Sequence, residues 1–179
     1  MHTDFIEPII SVEQLKKRVS ELAGLISADY PDSSNAPELR LIGVLKGSFV
    51  FLADLMRQIK RDVSIDFLSV SSYGNSTRSS RNPKIQQDLT CEISGVDVVL
   101  VEDIVDTGTT LKYICDVLEQ RKPHSLRTVA LLDKPSRRVA QISPSYVGFE
   151  IPDRFVVGYG LDYSQRFRNR PDICALMED

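Results

Sequence analysis

Residues 96–110 constrain this chain more than any other stretch: Val-Asp-Val-Val-Leu-Val-Glu-Asp-Ile-Val-Asp-Thr-Gly-Thr-Thr. Val98, Val99, Leu100 and Val101 form a near-continuous apolar run, the pattern of a strand covered on both faces. Leu111, Ile114, Cys115 and Leu118 follow at helical spacing, and Thr109 or Thr110 is placed to cap that helix. The loop Asp106-Thr107-Gly108-Thr109-Thr110 therefore falls at the carboxyl end of a parallel strand and at a helix N-terminus. Unpaired backbone N–H groups and the positive end of the helix dipole converge there, so the loop is predicted to seat a phosphate. Glu102 and Asp103 are expected where the strand leaves the core. Carboxylates there suit sugar hydroxyls and a hard divalent ion such as magnesium. Asp106 would repel a phosphate, so something cationic, or a group able to take a proton, must approach it.

The rest of the chain supplies companion elements. Ser11-Val12-Glu13-Gln14 reads as a capping box, after a lead-in over 1–10. Val12, Leu15, Val19, Leu22 and Ile26 mark one helix face to about Ala28. Leu39 to Leu45 is a buried strand, Lys46-Gly47-Ser48 a turn, and Phe49 to Lys60 a helix. Lys46-Gly47 is thus a second strand-to-helix loop, one that carries a cation. Val63 to Val70 is a strand, the polar stretch 71–81 a loop, and Ile85 to Leu89 a returning strand. Leu126 to Leu132 is another buried strand, and it delivers Lys134 to the same crevice as the main loop. Tyr146 to Glu150 is an edge strand, Phe155 to Tyr159 a strand, and Asp172 to Met177 the last one.

At 179 residues and 42% apolar content the chain suits one domain with a real core. Net charge −3 argues against general nucleic-acid binding. Three widely spaced cysteines without metal spacing predict reduced thiols and a cytoplasmic location. No apolar run approaches the ~18 residues of a membrane span. His2 and His124 stand alone, which leaves little support for imidazole catalysis.

Two segments carry a resemblance. Val-Leu-Val-Glu-Asp-Ile-Val-Asp-Thr-Gly-Thr-Thr resembles the phosphoribosyl-pyrophosphate signature of type I phosphoribosyltransferases, most closely their hypoxanthine-guanine branch. Gly148 to Tyr163, with Glu-Ile-Pro-Asp-Arg-Phe-Val-Val-Gly-Tyr-Gly-Leu-Asp-Tyr, looks like the purine-binding hood of that branch. The match extends from about Leu41 to Cys174. It implies an α/β fold with a central, mostly parallel twisted sheet flanked by helices. It further implies a single domain over 1–179, a small hood over about 145–179 plus N-terminal residues, and a mobile lid over about 71–84 beginning at Ser72-Tyr73. The implied activity is a purine salvage transfer of the 5-phosphoribosyl group to hypoxanthine or guanine, with Mg2+.

The resemblance also assigns roles. Asp106, Lys134 and Arg168 would be catalytic. Asp106, Thr107, Gly108, Thr109 and Thr110 would form the phosphate site. Lys46 and Gly47, preceded by a cis peptide, would receive pyrophosphate with Arg168. Glu102 and Asp103 would hold the ribose and, with Asp162, magnesium. Lys134, Phe155, Val156 and Asp162 would contact the purine. Purine bases, phosphoribosyl pyrophosphate and nucleoside monophosphates are the implied partners, with neither nucleic acid nor membrane, in a homodimer or homotetramer. Thr109 departs from the lysine common after Asp-Thr-Gly, and Asp133 is expected to restrain or retune Lys134. The alternative is a regulatory protein of the same fold that senses phosphoribosyl pyrophosphate; the acidic balance weighs against it.

Overall fold

The computed structural model describes residues 6–71 and 83–177. Three strands are largely buried: β2 (Leu39–Leu45) and β5 (Asp97–Val105) along nearly their whole length, and β6 (Ser125–Asp133) from Thr128 onward. Each is rich in Val, Leu or Ile, so each needs cover on both faces. Their side chains alternate. Leu41, Val99, Val101, Val129 and Leu131 face one way, onto α1 (Val12–Asp29) and α2 (Phe49–Met56). Ile42, Val98, Leu100 and Ala130 face the other, onto α3 (Thr109–Glu119).

Six strands form the larger sheet in the order β4-β3-β2-β5-β6-β7, where β3 is Ser64–Ser71, β4 Lys84–Gln87 and β7 Tyr146–Glu150. All neighbours are parallel except β3 and β4. The chain steps outward from β2 to β3, then returns to place β5 on the other side of β2. A crevice opens at that reversal, above the carboxyl ends of β2 and β5. The exposed edge at β7 is blunted by Arg18 of α1, whose Nε and Nη2 donate to the carbonyls of Gly148 and Val147, both at 2.7 Å.

A smaller antiparallel sheet has the order β1-β9-β8, with β1 Ile6–Ile10, β9 Ile173–Leu176 and β8 Val156–Val157. Residues 6–10, expected to be part of a lead-in, are therefore a strand. β1 pairs with β9 from Ile6 opposite Leu176 to Ile10 opposite Ile173. Tyr146–Glu150 closes the larger sheet, so within 145–179 the smaller one draws only on residues beyond Ile151. Other bounds shift by local chemistry. The capping box at Ser11 forms as expected, but α2 stops at Met56 and β8 keeps only two residues. β8 is cut short because Gly158, Tyr159 and Gly160 all adopt positive φ.

Candidate active site

Three loops at the carboxyl ends of parallel strands meet over the crevice. The first follows β5. That strand runs two residues past the acids, to Val105, so Glu102 and Asp103 lie inside it rather than at its exit. Successive strand residues point to opposite faces. Asp103 accordingly lies against Gly47, while Glu102 is buried toward α3, close enough for its charge to reach Cys115. Gly108 sits in the left-handed region at φ 79 and is the N-cap of α3. The expected cap from Thr109 or Thr110 does not form; Thr107 Oγ1 donates to Thr109 Oγ1 at 3.2 Å within the loop. Among the described residues, the backbone N–H groups of Thr107, Gly108, Thr110 and Leu111 find no protein acceptor. Four unpaired donors at a helix start make a ready seat for an anion.

The second loop follows β2 and carries Lys46-Gly47, with a cis peptide between Leu45 and Lys46 as the resemblance implied. A Cβ on residue 47 would lie 1.5 Å from Asp103 Oδ2, so only glycine lets the two loops close on each other. Among the described residues no acid lies within ion-pair distance of Lys46, whereas Arg168 is matched. Arg168 Nη2 pairs with Asp162 at 2.6 Å, and its Nη1 donates to the Gly160 carbonyl at 2.7 Å. Asp162 also accepts from the Gln165 N–H at 2.7 Å, so it stabilises its own turn as well as facing the crevice.

The third loop follows β6. Lys134 is buried, and its ammonium lies 3.5 Å from Asp153. Asp133, the acid expected to act on Lys134, turns instead to Arg138. Asp153 also faces Arg137 at 3.5 Å, and Arg137 Nε donates to Asp106 at 3.1 Å. Arg137 is the cation that an acid in a phosphate loop required. Sequence reasoning missed it, although a second basic pair at a strand's carboxyl end was a signal.

These loops enclose a cleft of about 930 Å³, lined by Lys46, Gly47, Glu102, Asp103, the stretch 106–110, Arg137, Asp162 and Arg168. Lys134, Phe155 and Val156 are not part of its lining. Phe155 is half exposed, so it is no core residue; it meets Tyr163 edge-on at 5.6 Å and borders a second hollow of about 250 Å³ with Asp153. Val156 is buried in β8, opposite Ala175. Ser72 and Tyr73 of the expected lid lie outside the described residues, as does His2. His124 is not alone: its Nδ1 lies 2.7 Å from Asp97, at the opposite end of the sheet.

Burial, and then the charge of Asp103, pushes the Glu102 carboxyl well above its ordinary range. Burial likewise pushes Asp103 up to about 6, against the N–H of Ile104 and the charge of Arg168, while Asp162 adds to the rise. A cation bound beside either carboxylate would favour its ionised form. Among the described residues no three acids or other ligating side chains are gathered closely enough to hold a metal by themselves. The donor set fits magnesium, which commonly takes one or two carboxylates and fills its remaining positions with water and substrate oxygens.

Comparison with known proteins agrees with this geometry. The phosphoribosyl transferase domain family matches residues 11–164. The hypoxanthine-guanine phosphoribosyltransferase of Bacillus subtilis is 47% identical over 98% of this chain and 96% of its own length. The hypoxanthine phosphoribosyltransferase of Escherichia coli K12 is 45% identical over 94% of this chain and 93% of its own. Among solved structures, a hypoxanthine-guanine phosphoribosyltransferase from Bacillus anthracis superposes with a TM-score of 0.88 at 47% identity, covering 96% of this chain and 98% of that one. A hypoxanthine phosphoribosyltransferase from Staphylococcus aureus gives 0.90 at 45% identity, covering 98% and 94%. A sheet reversing between β2 and β5, an amide-lined loop beside two acids and near-full-length identity thus converge, and the chain belongs to the hypoxanthine-guanine phosphoribosyltransferases of the type I phosphoribosyltransferase family.

Proposed function

We infer that this chain transfers the 5-phosphoribosyl group from phosphoribosyl pyrophosphate to hypoxanthine or guanine, giving IMP or GMP and pyrophosphate. The observation that carries the reading is the facing of an amide-lined loop at 107–111 and an unmatched Lys46 across a cleft floored by acids. One end suits the 5′-phosphate and the other the pyrophosphate, with the sugar between.

Thr107, Gly108, Thr109 and Thr110 hold the 5′-phosphate through N–H groups and hydroxyls. Lys46 and Gly47 receive the pyrophosphate. Arg168 joins them, its planar fork suiting phosphate oxygens. Glu102 and Asp103 orient the ribose hydroxyls, and their charge favours the cation-like sugar formed as pyrophosphate departs. Glu102, Asp103 and Asp162 would hold magnesium, whose charge, when bound, would offset that of the pyrophosphate. Asp106 takes or holds the proton of the purine's five-membered ring, a role typically worth about 10²- to 10⁴-fold. Lys134 donates to the oxygen on carbon six, so an amino group there meets a donor instead of an acceptor. Phe155 stacks on the base, Val156 presents main-chain groups to its edge, and Asp162 lies near carbon two. Ser72 and Tyr73 begin a lid that excludes water. Three unpaired cysteines accord with a reducing cytoplasm. Half-exposed Leu25, Phe49 and Ile65 offer apolar surface for a homodimer or homotetramer.

Incubation with the donor, magnesium and each of hypoxanthine, guanine, xanthine and adenine tests the whole. Turnover with hypoxanthine or guanine, little with adenine, and loss of all turnover on chelation is the expected result. Adenine turnover equal to that of guanine would overturn the base assignment.

A further inference from the structure

The far wall of the phosphate loop is the segment 133–140, to which the roles above assign only Lys134. Three successive carbonyls at the end of β5 are drawn onto it. Val105 O accepts from Lys134 N–H at 2.9 Å and Asp106 O from Arg138 Nη1 at 2.9 Å. Thr107 O accepts from the N–H groups of both Val139 and Ala140, at 2.9 and 3.0 Å. Arg138 is itself fixed, because its Nη2 is ion-paired with Asp133, whose side chain is only 8% exposed. A Cβ on residue 108 would lie 2.9 Å from Arg138 Cδ and 3.0 Å from Ile142 Cγ2, so Arg138 of this segment and Ile142 just beyond it back the loop where it turns.

A trans peptide is a rigid plane in which the carbonyl of one residue and the N–H of the next point in opposite directions. Binding the Asp106 carbonyl outward turns the Thr107 N–H inward. Binding the Thr107 carbonyl outward turns the Gly108 N–H inward. Both are among the donors left without a protein acceptor. The orientation of the seat is thus set from behind, by contacts that never meet the ligand.

We propose that Arg138, held by Asp133, is a positioning residue for the 5′-phosphate: it pins the Asp106–Thr107 peptide so that the loop's N–H groups converge on the anion. Its Nη2 is matched by Asp133 and its Nη1 by the Asp106 carbonyl, and it is not part of the cleft lining, so it acts through the backbone and not on substrate. Arginine suits this place because its rigid planar fork presents separate nitrogens to carboxylate and carbonyl, whereas a lysine ammonium is a single point on a flexible stem and fixes their geometry less well. The proposal rests on reading the cleft as a phosphoribosyl site.

The experiment measures the affinities of GMP and guanosine for the wild-type protein and for Arg138→Met, Arg138→Lys and Asp133→Asn by titration calorimetry. The ratio of the two affinities isolates the phosphate's share. Wild type should favour GMP strongly; no preference would sink the phosphate reading and the proposal with it. Given that preference, Arg138→Met should reduce it by about tenfold while leaving guanosine affinity nearly unchanged. Arg138→Lys and Asp133→Asn should fall between, and they carry the same ratio test if Arg138→Met fails to fold. A ratio unchanged in all three variants, with both affinities falling together or neither falling, would overturn the positioning role.

Discussion

Asp103 is pressed against Gly47, accepts from the N–H of Ile104 at 2.9 Å, and still keeps its proton up to a pH of about 6. Its ordinary value is 3.8, so the folded chain binds a proton over a range where the unfolded chain has already lost it. Stability from this group is therefore full below about pH 4, falls as pH rises toward 6, and stays low above that. Asp103→Asn should make the metal-free protein more stable at pH 7.5, on the order of 1–2 kcal/mol with the partial exposure discounted, and donor binding should be lost. The gain should shrink at pH 5. Thermal unfolding at the two values checks this; a variant less stable at pH 7.5 would mean the acid strengthens the fold instead of burdening it. Asp106 and Arg137 form a different kind of pair, with side chains 45% and 48% exposed, so their attraction is worth at most about 1 kcal/mol. On the proposed function, Arg137 would have to leave Asp106 when a purine arrives. Steady-state rates should therefore drop about 10²-fold or more for Asp106→Asn and stay within about threefold for Arg137→Ala. Equal damage from the two would make Arg137 part of the chemistry. The acids, the threonines and Lys134 were legible because each belongs to a short local string. The partners Arg137 and Asp153 were not, since 31 residues separate Arg137 from Asp106 and only the closed sheet brings them together.

Elements were legible where periodicity or capping marks them and obscure where tertiary pairing creates them. The helix at Ser11 and the strands β2, β5 and β6 declare themselves by capping chemistry and continuous apolar runs. β1 did not, because Ile-Glu-Pro-Ile-Ile is short and holds a proline that cannot donate to a ladder; Pro8 is tolerated at an edge, opposite Cys174. The N-cap of α3 was misplaced by one or two residues because Gly108 turns the chain before either threonine is reached. β1 flanks β9, and β9 in turn pairs with β8 at Val156, so on the proposed function the first strand would support the base end of the site from two strands away. Removing residues 1–10 should raise the KM for guanine several-fold and change that for the phosphoribosyl donor much less. Initial-rate measurements with each substrate varied decide this; a donor KM rising in step would show that the small sheet supports the whole cleft.

For the molecule as a whole, the order β4-β3-β2-β5-β6-β7 explains why one crevice collects every loop that matters. β2, β5 and β6 point the same way, so Lys46, Thr107 and Lys134 all emerge at one end of the sheet, while His124 and Asp97 occupy the other. The smaller sheet closes over that end, and residues 158–168 carry Asp162 and Arg168 down to Gly47, where a Cβ on residue 160 would lie 2.2 Å from the Gly47 carbonyl. Strand order is not written in any single segment, so the convergence was implied by resemblance and confirmed only by the closed fold. Its central consequence, on the proposed function, is the prediction that a nucleotide will bind with its phosphate on the start of α3 and its base toward Lys134. Crystals soaked with GMP test this directly. The phosphorus should be found within hydrogen-bonding reach of the N–H groups of Thr107 to Thr110, with the six-oxygen at Lys134. A phosphorus bound at Lys46, or anywhere remote from Gly108, would contradict the account.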